Sequence, residues 1–207
     1  MRKWNRLICG WVMVITLCGT TLSAENVQKT QADGSDEAEI RTLLGERDRQ
    51  IKSVLDGDQA VSDSQRKELE QIVNEMVDYP SMARHALGDT WTELDPDTRN
   101  EFTRLFSAIV RDQSMNNMEI YRADITYGDI QVTGDEAHVE TEASLESVTT
   151  GVHYTLRRTE GSWMITDIIL DDVSTADSYQ RQFQSVIRQR GFEALFNSLK
   201  RRADRIR

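Results

Sequence analysis

The chain has 207 residues, of which 35 are acidic and 25 are basic, so its formal net charge is −10. This acidic balance argues against a general nucleic-acid binder, which would carry a basic stripe. The length is sufficient for one domain with its own hydrophobic core.

The first 24 residues have the pattern of a secretory signal peptide. Basic residues at positions 2–6 precede an apolar run at residues 7–22, and Ser23-Ala24 supplies a small-residue cleavage site. We predict a signal peptide over residues 1–24, with cleavage after Ala24. The alternative is a retained membrane anchor, although the sixteen residues of the apolar run are short for a span.

Cleavage at this site changes the charge and the thiol content of the chain. It removes three basic residues, no acidic residue and both cysteines, Cys9 and Cys18, so the net charge becomes −13. The mature chain then forms no disulfide. Thiol catalysis and Cys-ligated zinc are excluded for the same reason.

The mature chain begins with a polar segment and two helices. Residues 25–36 have no periodicity and predict a disordered leader, followed by a single domain over residues 37–207. Apolar residues at helical spacing predict a helix from about Ile40 to Leu55, and a second from Ser62 or Ser64 to about Val77.

Two further helices are predicted from their start and stop residues. Pro80 begins a short helix that Gly88 ends. Asp95-Pro96 begins a long amphipathic helix that reaches Met118 or Tyr121, because Asp is a good N-cap and Pro suits the first helical position.

Strand patterning replaces helical patterning after Arg122. Alternating residues, with turn sequences between them, predict four antiparallel strands at residues 123–133, 136–148, 152–160 and 162–170. In the last strand, strict alternation places Trp163, Ile165, Asp167 and Ile169 on one side and Met164, Thr166, Ile168 and Leu170 on the other.

Two closing helices are predicted at about residues 174–189 and 191–204. Helices, then strands, then helices indicate an α+β fold. We expect a curved antiparallel sheet of about four strands, with the N-terminal and C-terminal helices over its concave face, enclosing an apolar pocket. The basic residues in 200–207 complement the last helix dipole, and contact with anionic lipid or an acidic partner is the alternative.

Motifs for covalent or metal chemistry are absent from the sequence. The three histidines, His85, His138 and His153, are far apart and fit no metal-ligand spacing, so we predict neither a metal site nor a catalytic residue. Asp167 is the most interesting acid, because its strand position favours partial burial beside aromatic residues. A structural role for Asp167 is the favoured interpretation.

Three motifs in the right order carry a resemblance to a known family. They are residues 78–91 (DYPSMARHALGDTW), residues 99–106 (RNEFTRLF) and residues 163–183, which run from WMITD through VS to YQRQF. The chain resembles the MlaC or toluene-tolerance family of periplasmic phospholipid-binding proteins. The likeness extends over about residues 40–200.

The last motif departs from the family pattern at several positions. Asp172 stands where the family usually has Gly, and Thr175 where an aliphatic residue is common. Ser178 and Gln180 replace the usual Asn and Arg. These changes affect the strand-to-helix bend and one polar contact, but they leave an apolar pocket intact.

The resemblance implies a non-catalytic periplasmic carrier that holds a two-chain phospholipid with its headgroup exposed. Such a lipid has on the order of 30 methylenes at ~0.8 kcal/mol each, which requires nearly complete burial, and hence a cavity near the top of the usual range of about 300–1,000 Å³. We predict that the pocket is lined by adaptable and aromatic residues of several elements: Met76, Tyr79, Met82, Leu87, Trp91, Phe102, Phe106, Val110, Val132, Val139, Tyr154, Ile165, Ile169, Tyr179 and Phe183. Without the resemblance, a solid core is the favoured interpretation of these residues.

Partners follow from the resemblance alone. The family implies a monomer that shuttles lipid between an inner-membrane ABC lipid transporter complex and an outer-membrane lipoprotein/porin complex. Neither a cofactor nor nucleic acid is expected, and a hopanoid is an alternative lipid. Two other hypotheses remain: a non-catalytic envelope adaptor domain, and a ketosteroid-isomerase-like enzyme with Asp167 as base and Tyr154 or Tyr127 as hydrogen-bond donor.

Overall fold

The computed structural model describes residues 22–55, 61–116 and 118–206. The predicted signal peptide, residues 1–24, lies almost entirely outside them. Seven helices are described, α1 (Leu22–Val54), α2 (Asp63–Asn74), α3 (Tyr79–Leu87), α4 (Thr90–Glu93), α5 (Pro96–Met115), α6 (Thr175–Arg190) and α7 (Phe192–Ile206), with a 3₁₀ turn at Met118–Arg122. None of these helices is long and apolar enough to cross a membrane.

Capping side chains set several helix starts, and the sequence predicts those at Ser62 and Asp95 but not the cap at Asp78. Ser62 and Gln65 form a capping box at α2. The Asp78 carboxylate accepts the Ser81 N–H at 2.9 Å at the start of α3. Asp95 does the same for α5, accepting the Thr98 N–H at 3.0 Å, with Pro96 at the first helical position.

The first helix begins earlier than the sequence predicts. Residues 25–36, which we expect to be a disordered leader, continue α1 back to Leu22. The end of this segment is held to the sheet, because Arg158 of the third strand pairs with Asp36 at 2.5 Å and with Glu39 at 3.7 Å. A polarity pattern read along the chain does not reveal these partners, which are more than 100 residues away in sequence.

Five antiparallel strands form a meander in the order β1-β2-β3-β4-β5. Their bounds are β1 (Asp124–Thr133), β2 (Glu136–Leu145), β3 (Val148–Thr159), β4 (Ser162–Leu170) and β5 (Val173–Ser174). The α+β fold is confirmed, with one short strand more than predicted. The β2–β3 turn comes earlier than expected, between Leu145 and Val148, and Glu146 in this turn adopts a positive φ of 55°, which non-glycine residues rarely do.

Two β-bulges interrupt the alternation of the sheet. In β1 the bulge lies between Tyr127 and Ile130. In β4 one residue is extra, because Thr155 pairs with Asp167 whereas Leu156 pairs with Ile165. A bulge reverses which face the following residues occupy, so the predicted common face of Ile165 and Ile169 is wrong.

The helices form a solid core on one half of the sheet. Aromatic rings of α5 and α6 pack edge to face here, with centroids 5.9 Å apart for Phe102 and Phe183 and 5.1 Å apart for Phe106 and Tyr179. Residues of α3 complete this core, which covers the sheet at Val139 and Leu156, both fully buried. The other half of the concave face lies outside this core and borders a cavity.

Candidate functional site

A cavity of about 330 Å³ lies between the concave face of the sheet and the helices. Its walls come from α1, the end of α2, the end of α5, the 3₁₀ turn and strands β1–β4. The lining is Leu44, Arg47, Asp48, Ile51, Val73, Met76, Val77, Gln113, Ser114, Ile120, Tyr121, Ala123, Ile125, Tyr127, Ala143, Val152, Tyr154, Ile165, Ile168 and Leu170. Most of these side chains are apolar, which suits a hydrocarbon rather than a polar ligand.

Small side chains leave the space that this cavity occupies. Ala123, Ala143 and Val152 form a separate buried cluster on this half of the sheet. Tyr121, Tyr127 and Tyr154 border the volume beside this cluster, whereas the neighbouring core is packed with phenylalanine rings. The cavity is at the lower end of the usual ligand-site range, whereas the sequence predicts a volume near its top.

The tyrosines of the cavity are held in their neutral form. Burial raises the pKa of Tyr127 to about 12. Burial also raises the pKa of Tyr154 and of Tyr121 above 10.0. A tyrosine is already uncharged at neutral pH with its ordinary pKa of 10.0, and burial extends the neutral form of these three to higher pH. The rings therefore present an uncharged surface with a polar tip.

Charged and amide groups of the lining come from two helices only. Arg47 and Asp48 are on α1, and Gln113 and Ser114 are on α5. Gln113 also accepts a hydrogen bond from the Tyr179 hydroxyl, which ties α6 to this part of the cavity. The lining therefore has apolar walls and a small polar group, an arrangement that suits a molecule with an apolar and a polar end.

Three of the fifteen predicted lining residues do line the cavity: Met76, Tyr154 and Ile165. Eight others are buried in the solid core: Tyr79, Met82, Leu87, Phe102, Phe106, Val139, Tyr179 and Phe183. Trp91, Val110 and Val132 pack against that core while partly buried. Ile169 lies opposite His153 and Ser174 and is absent from the lining.

Sequence reasoning missed most of the lining. Because of the β4 bulge, Ile168 and Leu170 line the cavity, and Ile169 does not. The bulge depends on pairing between strands and cannot be inferred from the sequence of β4 alone. Ala143 and Val152 were detectable in principle, because small residues at inward strand positions leave room. The predicted lining consists instead mainly of large side chains, which fill space rather than create it.

Asp167 has a structural role in the fold. Its carboxylate accepts a hydrogen bond from the Ser174 hydroxyl at 2.6 Å and another from the Ala176 N–H at 2.9 Å. Ser174 in turn accepts the Asp177 N–H and caps α6. Asp167 is absent from the cavity lining, so it is not placed with Tyr154 or Tyr127 as a base for an isomerase-like reaction.

The histidines do not assemble a metal site. His85 Nε2 forms a hydrogen bond with the Asp177 carboxylate at 2.7 Å. The rings of His138 and His153 stack with their centroids 6.0 Å apart. Across the described ranges, no group of three or more His, Cys, Asp or Glu residues is arranged to hold a metal ion.

A second concavity, a groove of about 720 Å³, runs between α1 and the start of β4. Its lining is Ser35, Ala38, Glu39, Thr42, Leu43, Glu46, Arg47, Glu75, Met76, Ser162, Trp163 and Met164. Two residues, Arg47 and Met76, line both the groove and the cavity. The two spaces are therefore neighbours that share a wall.

Comparisons with known proteins agree with this architecture. The family model described as MlaC protein matches residues 46–201. The chain belongs to the MlaC family. No curated protein matches this MlaC-family chain in sequence.

A solved structure has the same fold as this MlaC-family chain. It is the phospholipid-binding protein from Ralstonia solanacearum in complex with a phospholipid. The TM-score is 0.67 at 16% sequence identity, and the match covers 82% of this chain and 97% of that chain. A likeness at this identity establishes a common fold.

Proposed function

We propose that this MlaC-family chain is a periplasmic phospholipid carrier, which shelters acyl chains in the cavity between its sheet and helices. The observation that carries the proposal is the apolar lining of that cavity, with its neutral tyrosines and few charged groups. Family membership supports it, and so does the phospholipid complex of the Ralstonia solanacearum protein.

The energetics of lipid transfer explain why such a cavity is needed. Removing about 30 methylenes from a membrane into water costs roughly 25 kcal/mol, at ~0.8 kcal/mol each. A carrier has to replace that burial almost completely. It needs no covalent step, and we assign no catalytic residue.

The proposed cellular route has three parts. A signal peptide over residues 1–24 directs the chain to the periplasm. The carrier then exchanges lipid with an inner-membrane ABC lipid transporter complex and an outer-membrane lipoprotein/porin complex. The lipid headgroup stays in water, so the affinity comes mainly from the hydrocarbon.

Native purification followed by lipid analysis tests this function. The protein is purified without detergent and extracted with organic solvent, and the extract is analysed by mass spectrometry. We expect co-purifying phospholipid, and uptake of labelled phospholipid from vesicles by the delipidated protein. A protein that carries no lipid and extracts none from vesicles contradicts the proposal.

A further inference from the structure

The C-terminal helices carry a charge opposite to that of the rest of the molecule. Residues 175–207 contain eight basic and three acidic residues, a net charge of +5. Residues 25–174 contain 14 basic and 32 acidic residues, a net charge of −18. Because α6 and α7 make up nearly all of the first range, a basic helix pair adjoins a strongly acidic body.

The arginines of α7 lie on one side of that helix. Its apolar side is buried in the core. At 3.6 residues per turn, Arg201, Arg202 and Arg205 project within about 100° of one another. The two acidic residues of α7, Glu193 and Asp204, project from a different side. The arginine side is therefore free of negative charge from its own helix.

Helix α6 extends this basic side. Burial raises the pKa of the Tyr179 phenol, and the nearby positive charge of Arg202 opposes that rise, so Arg202 lies beside α6. On α6, Arg181 and Arg188 are two turns apart and both are exposed. We define the basic face by these side chains, of which only Arg202 is partly buried: Arg181, Arg188, Arg201, Arg202 and Arg205.

The fold does not neutralise the basic face. Within the part of the chain that the structure describes, none of its five arginines forms an ion pair with an acidic side chain. The helix dipole favours cations only in the last turn of a helix. Arg188 and Arg205 are in last turns. Arg181, Arg201 and Arg202 are not, so the dipole does not account for them.

The basic face also lacks the apolar anchor that a protein–protein interface has at its centre. Among the described residues, the exposed large apolar side chains are Val148, Leu170 and Val173. All three are on the sheet. A surface of arginines without an apolar centre suits the phosphates of lipid headgroups better than a folded protein partner.

We propose that the basic face docks the protein on the surface of an anionic phospholipid membrane. The guanidinium group matches phosphate in bidentate geometry and is weakly hydrated, and clusters of four to eight basic residues are attracted to anionic membranes. The same membrane repels the acidic body, but salt screens that repulsion beyond about 10 Å at 0.1 M ionic strength. The two opposite charges therefore orient the protein, with α6 and α7 towards the membrane.

This docking goes beyond the proposed carrier function and does not depend on it. The lining of the cavity includes no residue of α6 or α7. Membrane docking and lipid uptake can therefore be measured, and can fail, separately.

Charge reversal on the basic face tests the proposal. The predicted mature chain, from residue 25 onward, is mixed with vesicles of phosphatidylcholine alone or of phosphatidylcholine with anionic phosphatidylglycerol, and bound protein is measured by flotation. Arg201→Glu/Arg205→Glu reverses two exposed charges of the basic face. Arg49→Glu/Lys67→Glu makes the same change of net charge at exposed positions of α1 and α2 that line neither the cavity nor the groove. Thermal unfolding checks that each variant is folded.

We expect wild-type protein to float with the phosphatidylglycerol vesicles but not with phosphatidylcholine alone, and to be released by high salt. Arg201→Glu/Arg205→Glu should bind at least about 30-fold more weakly, because each basic side chain near an anionic surface contributes a factor of roughly five. Arg49→Glu/Lys67→Glu should stay within about threefold of wild type, because its charges are away from the docked face.

Wild-type protein that does not float with phosphatidylglycerol vesicles, or equal losses in the two double variants, overturns the proposal. So does salt-sensitive self-association that Arg201→Glu/Arg205→Glu abolishes, because it assigns the basic face to the acidic body of a second copy. Uptake of phosphatidylcholine is measured alongside. Uptake without flotation leaves the carrier function standing and overturns the docking, and flotation without uptake does the reverse.

Spin labels give an independent measurement of the orientation. From residue 25 onward the chain has no cysteine, so Ser198→Cys and Ser53→Cys each provide a single labelling position. Ser198 is exposed on α7, beside the arginines, and Ser53 is exposed on α1. Phosphatidylglycerol vesicles should protect the nitroxide of Ser198→Cys from a water-soluble paramagnetic reagent and leave that of Ser53→Cys accessible. Equal protection at both positions, or none at Ser198→Cys in vesicle-bound protein, overturns the proposed docking face.

Discussion

Neighbouring isoleucines of β4 provide a sharp test of the cavity, because the bulge sends them to different places. Ile168 lies opposite Tyr154 and lines the cavity. Ile169 lies opposite His153 and does not. We therefore compare Ile168→Asn with Ile169→Asn, which make the same chemical change one residue apart.

The expected loss in Ile168→Asn follows from two effects. An isoleucine contributes roughly 1.5–3 kcal/mol when fully buried against apolar surface, and Ile168 is partly buried in the free protein. The introduced amide faces hydrocarbon without a partner, at a cost of about 1–3 kcal/mol. Together we expect about 2–4 kcal/mol of lost binding free energy, which corresponds to roughly 30- to 700-fold weaker lipid binding.

The assay is uptake of phospholipid from vesicles at several protein concentrations, with thermal unfolding as a check that each variant is folded. We expect Ile169→Asn to bind within a few-fold of wild type. Equal losses in both folded variants, or a loss in Ile169→Asn alone, would show that Ile168 and Ile169 have been assigned to the wrong faces of β4. The reasoning from β4 to the cavity would then be refuted.

Three further predictions concern stability. Asp167→Ala should lower the free energy of unfolding by about 1–2 kcal/mol, because Ser174 and Ala176 lose their acceptor, and Asp167→Asn should lose less in denaturant titrations. Phe106→Ala should lower the free energy of unfolding by about 3–5 kcal/mol. The folded fraction should still take up lipid, because the ring is in the core and not in the cavity. A folded variant that loses lipid uptake contradicts this. Stability should fall as pH rises from 10 to 12, because folded Tyr127 keeps its proton to about 12 while the unfolded chain loses it near 10. Tyr127→Phe should show a smaller fall in denaturation at pH 9 and 11, and an equal fall assigns the effect to other groups.

Local patterns in the sequence predicted the order and type of the elements well. The helix start at Asp95-Pro96 and the turn at Glu160-Gly161 are determined by a few adjacent residues, so both can be inferred without knowing the fold. Both Glu160 and Gly161 have positive φ, 51° and 84°, as a tight hairpin turn of this kind requires. The helical structure around Asp36 was harder to infer, because its ion pair with Arg158 joins residues that are far apart in the chain.

The position of the cavity was harder to infer because it depends on packing between distant elements. Large rings such as Phe102 and Phe183 are expected in a pocket or in a core with equal reason, and they fill the core here. The empty space arises over Ala143 and Val152, which are unremarkable as isolated residues. Val139 is a predicted lining residue, but it is fully buried in the core, so a substitution such as Val139→Arg would test folding instead of lipid binding.

The number of lipid molecules held by each folded chain is the most direct test of the hydrocarbon-binding cavity. Delipidated protein is incubated with diacyl phospholipid vesicles, separated from them by size-exclusion chromatography and weighed intact by native mass spectrometry. We expect wild-type protein to gain the mass of one phospholipid and Ile168→Asn to remain largely lipid-free. A wild-type protein that gains no lipid mass, or an Ile168→Asn variant that gains as much as wild type, would contradict the cavity as the site of binding.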